Sequence, residues 1–472
     1  MKRNIFALPG VAVLFICQAA SALPNKPLQT AQDSSSGQRN HPPGAPIPAA
    51  PNAPAAKDAQ QISKAWCKRV MLDAYSKGPN PDPRVAEFIR DAVEDFHSMK
   101  QPPAKLKAAA QLLADAGVDD PLFDYLAAGV LDDPRRDLYS RAIAGMDKSP
   151  YNKIISYMAS VAINKDLDTQ KAPQETQDAQ FKITLGLLRA ALEMDAFQPN
   201  ETDALLYRLD STAGEILFSK HGAEVCDILK ASAKVPPWVA EYYEGKRHID
   251  EAWKARGDDW AGTVKAEGWK GFADHLAQAR IHLVKSWKLN PANPRAATQM
   301  IAVAMGESER TDTMRNWFDR AVAAQMDWSP AYSKMRFGLR PRWLGSIKEM
   351  LSFGGECMRT GRYDTGVPYE YVLAVKDASE DLDDNGAILA DPKINQNLLE
   401  VFTAYLNNNQ NTLNHKYVRA MAAIAAYKGG KLDVAKQHME AIDYDLKSWQ
   451  DDLGRFVDIP VMLTEIRDYK PK

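Results

Sequence analysis

The segment LRPRWLGS, residues 339–346, carries the clearest candidate for binding chemistry. Arg340 and Arg342 flank a proline, and Trp343 follows where a helix is predicted to begin. Guanidinium groups bind carboxylates and phosphates through paired hydrogen bonds, and a tryptophan adds a flat apolar surface. We therefore predict a partner contact at these three residues. The alternative is that the arginines pair with acids of the adjacent helical hairpin and fix the turn.

A second candidate is the helical segment GWKGFADHLAQARIHL, residues 268–283. Trp269 and Arg280 are included among the predicted partner-binding residues. His275 and His282 are seven residues apart, so they lie near one face of the helix. Two imidazoles separated by two turns are too distant to chelate one metal ion without a third ligand, and the HExxH spacing is absent. We expect core or surface histidines here.

Residues 381–388, DLDDNGAI, match the first half of a calcium-binding loop. Oxygen-bearing side chains stand at positions one, three and five, glycine at six and an apolar residue at eight. However, position nine is Leu389, and position twelve, which needs a bidentate glutamate, is Pro392. We predict a solvated acidic loop, and no cofactor for the chain.

Motifs for nucleophilic catalysis and for phosphate or dinucleotide binding are missing from the sequence. The chain has no GxSxG, GxGxxG or GxxxxGK[ST] pattern. Acidic residues are plentiful, but a carboxylate pair for glycoside cleavage would come from distant positions that sequence cannot pair. A hydrolase with carboxylates dispersed over a helical cleft is therefore the alternative to a binding protein.

Met1–Ala22 has the features of a cleavable signal peptide. A basic start precedes a short apolar run, and small residues end at Ala22, where we predict cleavage. The run is too short to span a bilayer, and no later segment is long and apolar enough. Lipoprotein processing at Cys17 is disfavoured, because Ile16 stands where a small residue is needed. We predict a periplasmic or secreted protein without a membrane span.

Removal of this leader leaves 450 residues, which is 472 minus 22. They carry 57 basic residues (59 minus Lys2 and Arg3) and 61 acidic ones, a formal charge of −4. Such a balance gives no general attraction to nucleic acid or to an acidic membrane. The remaining cysteines, Cys67, Cys226 and Cys357, are predicted to be buried small hydrophobes, with a single disulfide as the alternative.

Hydrophobic spacing predicts an all-α protein. Residues 23–61 are rich in Pro, Ala, Ser and Gln and are predicted to form a disordered tether. Beyond them, apolar residues recur at three- and four-residue steps, as at Val85, Phe88 and Ile89, and clear strand alternation is absent. We divide the helical part into an irregular region, 63–245, and a more regular repeat region, 246–470. One continuous solenoid is the alternative.

Several segments resemble tetratricopeptide units, in which paired helices stack on their neighbours. In AAIAAYKGGKLDVAKQHMEAIDYD, residues 422–445, Gly430 would make the turn between two helices and Ala435 would permit their close approach. Two further helix pairs are predicted at Pro294–Ala324 and Pro330–Met358. The fold prediction is therefore a tetratricopeptide-like α-solenoid of stacked helical hairpins.

Residues 251–368 also resemble a bacterial family defined only as a domain of unknown function. The resemblance rests on EGWKGFADHLAQAR, SWKLNPANPRAATQMIAVAMGE and LRPRWLGSIKEMLSFGGEC. The family implies no activity, cofactor or catalytic residue. Because stacked hairpins usually offer surfaces to proteins or peptides, we predict an exported scaffold that binds a protein or peptide partner in the cell envelope.

Overall fold

The structure, a computed structural model, describes residues 59–470 except 79–80, 96–103, 132–134, 150, 195, 258–260, 310, 344, 409–410 and 412. The predicted signal peptide, and the predicted tether up to residue 58, lie outside the described residues. Helices, turns and bends make up the described part, which contains no strand. The all-α prediction is confirmed. None of the described helices has the length and apolar character required to cross a membrane.

The described residues form two compact units that divide between Leu289 and Asn290. The boundary predicted at residue 245 falls inside a helix, Pro237–Arg256. Unit 1 contains the following helices: α1 Ala59–Cys67, a π-helical segment Lys68–Asp73, α2 Ala74–Ser76, α3 Pro83–Asp95, α4 Ala104–Asp115, α5 Pro121–Val130, α6 Arg135–Met146, α7 Ile154–Thr169, α8 Gln174–Glu193, a 3-10 turn Pro199–Glu201, α9 Thr202–Leu209, α10 Thr212–Ala231, α11 Pro237–Arg256 and α12 Ala266–Leu289.

Unit 2 continues the same architecture. Its helices are α13 Pro294–Gly306, α14 Thr311–Ala324, α15 Ser329–Gly338, α16 Ile347–Met358, a 3-10 turn Val367–Tyr369, α17 Glu370–Leu382, a 3-10 turn Ala387–Ala390, α18 Pro392–Asn407, α19 His415–Lys428, α20 Leu432–Glu440, a 3-10 turn Lys447–Trp449, α21 Gln450–Leu453 and α22 Ile459–Asp468. Helices α13 and α14 pack together over the first segment predicted as a helix pair. Helices α15 and α16 occupy the second segment, where α15 packs on α13 and α14, and α16 packs on α17. Stacked helical pairs are thus present.

Several helices begin at a short polar residue followed by proline. The side-chain oxygen accepts a hydrogen bond from a backbone N–H of the first turn, and the proline needs no such partner. The pairs are Asp82-Pro83, Asp120-Pro121, Asn293-Pro294 and Asp391-Pro392. Local sequence therefore fixes where α3, α5, α13 and α18 start.

The helix predicted to begin near Trp343 begins later, at Ile347. The Ser346 hydroxyl accepts a hydrogen bond from the Glu349 backbone N–H at 3.2 Å and caps this start. Trp343 instead lies in the turn that follows α15. Hydrophobic periodicity alone predicted a helix start that was too early, because the capping signal of Ser346 determines where the helix begins.

Close helix contacts depend on glycine and alanine. Gly245 of α11 is buried against Leu283 of α12, and a Cβ atom at Gly245 would lie 2.5 Å from Leu283 Cγ. In unit 2, Gly430 has φ of +72° and joins α19 to α20, and Ala435 is fully buried. The turn and the close approach predicted for residues 422–445 are confirmed.

Candidate functional site

Arg340 faces the protein interior. Its guanidinium donates from Nε to Asp381 Oδ2 at 2.8 Å, and from Nη2 to Asp381 Oδ1 at 2.7 Å and to Glu380 Oε2 at 2.8 Å. Only 7% of Arg340 is exposed. The guanidinium therefore joins the end of α15 to α17, as in the alternative that paired it with acids of the adjacent hairpin.

Arg340 belongs to a set of buried arginines, Arg315, Arg336 and Arg340, which we name the arginine ladder. Each donates to a carboxylate 41 residues further along the chain: Glu356, Asp377 and Asp381. Arg315 joins α14 to α16, while the other two join α15 to α17. The ladder therefore ties α14 to α16, and the end of α15 to α17, through ion pairs of the same sequence offset.

Arg342 and Trp343 lie nearer the solvent than Arg340. Arg342 is exposed, and its guanidinium carbon stands 5.3 Å from the centre of the Phe337 ring. The Trp343 ring, half-buried, packs on the same phenylalanine at a centroid distance of 5.7 Å. The three predicted contact residues therefore do not form one surface. Arg340 is bound to acids in the protein interior, whereas Arg342 and Trp343 remain predicted contact residues.

The calcium-like loop uses its carboxylates within the protein. Asp381 holds Arg340, and Asp384 accepts hydrogen bonds from the backbone N–H groups of Gly386 and Ile388 at 2.9 and 2.8 Å. Both acids are therefore occupied by the turn and the ladder. Within the described residues, no group of three or more His, Cys, Asp or Glu side chains has metal-binding geometry.

Trp269 is 39% exposed at the beginning of α12. The Arg256 guanidinium carbon lies 5.2 Å from its ring centre and 5.6 Å from that of Trp253. Phe272 supports both tryptophans through edge contacts at 5.8 and 5.0 Å. This arrangement presents a rigid aromatic surface with one cation, a combination that is common in protein recognition.

An apolar stripe continues from Trp269 along the outside of α12. It consists of Trp269, Ala273, Ala277 and Ile281, which we name the α12 stripe. All four are exposed, and Ile281 is 58% exposed. Four-residue steps keep them on one side of the helix over about 18 Å. Arg280, the other predicted contact residue on this helix, is half-buried.

A cluster of three histidines joins α11 to α12. His248 Nδ1 lies 3.1 Å from His275 Nδ1, and the His248 ring stacks on that of His282 at 5.7 Å with an interplanar angle of 13°. His282 Nδ1 in turn contacts Glu241 Oε2 at 2.7 Å. The sequence placed His275 and His282 on one face but did not identify His248, because the approach of α11 is a tertiary feature.

Hydrogen bonding assigns the proton positions in this cluster. Arg247 Nη2 can only donate, so His248 Nε2, 3.2 Å away, accepts. Neutral His248 then carries its proton on Nδ1 and donates it to His275 Nδ1. Burial, followed by the charge of Arg247, lowers the pKa of His248 to about 4, which agrees with a neutral ring at neutral pH.

The three cysteines of the described residues are free and buried. Burial raises the pKa of Cys226 to about 12 and that of Cys357 well above its ordinary value. Burial also raises the pKa of Cys67, although Arg208 opposes the shift. The prediction of buried small hydrophobes is confirmed, and no disulfide joins these residues.

Two buried carboxyl groups have raised pKa values, and each pairs with an arginine. Burial raises the pKa of Asp124 to about 6 in spite of Arg141, which donates to it at 2.9 Å. Burial likewise raises the pKa of Glu370, the partner of Arg336. Asp124 belongs to unit 1 and Glu370 to unit 2. The hydrolase alternative stays a prediction.

No protein-family model matches this chain, and comparison with curated proteins finds no match either. The resemblance of residues 251–368 to a domain of unknown function, and that of the hairpins to tetratricopeptide units, therefore stay predictions.

Proposed function

We propose that this chain is an exported scaffold whose stacked helices bind a protein partner in the cell envelope. The observation that carries the proposal is the α12 stripe, in which Trp269 and Ile281 leave large apolar surfaces in contact with water. Contiguous exposed apolar surface on an otherwise well-packed protein is typical of interaction sites. Export rests on the signal-peptide pattern of Met1–Ala22.

The occupant that fits the α12 stripe is an amphipathic helix of the partner. Residues at four-residue steps form the ridge that packs into the groove of another helix. Ala273 and Ala277 have small side chains, so a second helix can approach closely between Trp269 and Ile281. Lys270 and Asp274 form an exposed ion pair at 2.6 Å beside the stripe, and they provide a polar rim.

A site-specific photo-crosslink at Ala277 tests this assignment. The full chain carrying a photoreactive residue at position 277 is irradiated in the cells that make it, and the crosslinked segment is identified by mass spectrometry. We expect one predominant product, joined to a helical segment with an apolar face. The change Ile281→Asp should reduce its yield at least about tenfold, because burial of an isoleucine contributes about 1.5–3 kcal/mol.

Ile183 of α8 supplies the matched control, since it is an isoleucine with 50% exposure outside the α12 stripe. Ile183→Asp should leave the crosslink at position 277 unchanged. A yield that is the same with Ile281→Asp as with the native residue would contradict the proposal. So would crosslinking only to segments without an apolar face.

A further inference from the structure

The histidine cluster between α11 and α12 brings two ring nitrogens to the separation found in metal chelates. The Nδ1 atoms of His248 and His275 are 3.1 Å apart. Metal–nitrogen bonds measure about 2.0–2.1 Å, so two neighbouring ligands are about 2.9 Å apart at a right angle and about 3.3 Å apart in a tetrahedron. The observed distance lies between these values. Both rings are partly exposed, which leaves a path for an ion.

We propose that His248 and His275 chelate one late first-row divalent cation, Cu²⁺, Ni²⁺ or Zn²⁺, through their Nδ1 atoms. The ion replaces the hydrogen bond between the two nitrogens. Because each metal–nitrogen bond is longer than half of their 3.1 Å separation, the ion stands to one side of the line that joins them, and both rings turn towards it. Water fills the remaining coordination positions, because these two imidazoles are the protein ligands. The site is independent of the α12 stripe and of the scaffold function.

Binding requires one rearrangement of protons. The His275 Nδ1 lone pair already points towards His248, whose own proton moves from Nδ1 to Nε2. Arg247 then gives up its contact with that nitrogen but keeps Glu244, to which its Nε donates at 2.9 Å. The charges balance without release of a proton, and the loss of one hydrogen bond keeps the affinity moderate.

His282 has a supporting position in this site. Its Nδ1 is directed at Glu241, which Lys285 also contacts at 2.6 Å. The ring stacks on His248 and limits its rotation. A two-nitrogen site also predicts the order of affinity, because imidazole binding strengthens from Ni²⁺ to Cu²⁺ and weakens again at Zn²⁺.

Calorimetric titration of the full chain, prepared without a polyhistidine tag, with Cu²⁺, Ni²⁺ and Zn²⁺ chlorides tests the proposal. We expect one ion per chain, with Cu²⁺ bound most tightly, and a Cu²⁺ electron paramagnetic resonance spectrum with two nitrogen ligands. His248→Ala and His275→Ala should each weaken Cu²⁺ binding at least about tenfold. His282→Ala should change it less than about threefold.

His415→Ala is the matched control, because this partly exposed imidazole of α19 contacts Asn411 and lies outside the cluster. It should leave the titration unchanged. The glutamine variants His248→Gln and His275→Gln, with native helicity by circular dichroism, separate loss of a ligand from loss of the fold. Equal Cu²⁺ affinity in the native chain and both glutamine variants would overturn the assignment. The assignment would also be overturned if His282→Ala reduced the Cu²⁺ affinity as much as His275→Ala does.

Discussion

The change Gly245→Ala tests how closely α11 packs against α12. A Cβ atom there would lie 2.5 Å from Leu283 Cγ and 2.7 Å from Leu283 Cδ2, closer than van der Waals contact allows. Leu283 is fully buried, and the overlapping Cγ is a branch carbon rather than a flexible end. The change Gly245→Ala therefore forces the two helices or the leucine to move.

Two opposing contributions decide the size of the effect. Alanine stabilises a helix by about 1 kcal/mol relative to glycine, whereas overpacking a filled interior costs about 1–3 kcal/mol. Because the overlap involves Leu283 Cγ, we expect a net loss of about 1–2 kcal/mol. Leu283→Ala alone should cost about 2–5 kcal/mol. In that background the overlap with the leucine is gone and only the Ala279 carbonyl oxygen, at 3.3 Å, stays close, so Gly245→Ala should become stabilising by up to about 1 kcal/mol.

Thermal and urea unfolding of the native chain, the two single variants and the double variant measures whether the effect of Gly245→Ala on stability changes sign. Unit 1 spans about 230 residues (57–289), for which 1 kcal/mol corresponds to about 2–4 °C in Tm. Gly186 of α8 is the matched control, because a Cβ there has no neighbour within 4 Å. Gly186→Ala should raise Tm by about 1–4 °C. Stabilisation by Gly245→Ala in the native background, equal to that at Gly186, would refute the close contact of α11 with α12.

Three further predictions follow from the buried polar groups. Arg340→Met should reduce the free energy of unfolding by about 2–3 kcal/mol, because it leaves the Asp381 carboxylate, whose side chain is only 14% exposed, without its cation. Arg342→Met, at an exposed position, should change the free energy of unfolding by less than about 0.5 kcal/mol. Equal urea midpoints for the two variants would contradict this prediction. Because the pKa of Asp124 is raised to about 6, the folded chain binds more protons than the unfolded chain between about pH 4 and 6. As pH rises from 4 to 7, the free energy of unfolding of the Asp124→Asn variant should therefore increase relative to that of the native chain, by on the order of 1 kcal/mol. Urea unfolding measures this difference, and a difference that does not change with pH would argue against the prediction. The three buried cysteines should not react with a thiol reagent in the native protein and should all react after denaturation; rapid reaction of the native protein would show that a thiol is accessible.

Local sequence predicted the helices well because helix formation depends on neighbouring residues. The apolar spacing at Val85, Phe88 and Ile89 gave a buried helical face, and all three are at most 2% exposed. Helices were also located correctly in residues 294–324 and 330–358, and those of the first segment pack together as a pair. The helix start was predicted too early, near Trp343, because the capping signal of Ser346 was not considered.

The candidate sites were predicted less completely, because their geometry joins residues that are distant in sequence. Arg340 was predicted to contact a partner, but its guanidinium binds Asp381, 41 residues further along the chain. Only the position of α17 beside the end of α15 directs that guanidinium inward. Trp269 was identified by type alone, and its exposure beside Ala273 and Ile281 became evident from the packing of α12.

The amino-acid sequence by itself determined that this chain is helical, where many of its helices start and which faces are apolar, since propensities, caps and periodicity act within a few residues. Tertiary structure alone decided which helices touch. It placed Gly245 against Leu283, turned the arginine ladder into the interior and brought His248 to His275 across 27 residues. The physical reason is that side-chain packing and ion pairing between helices depend on their relative positions in space, which no local pattern specifies.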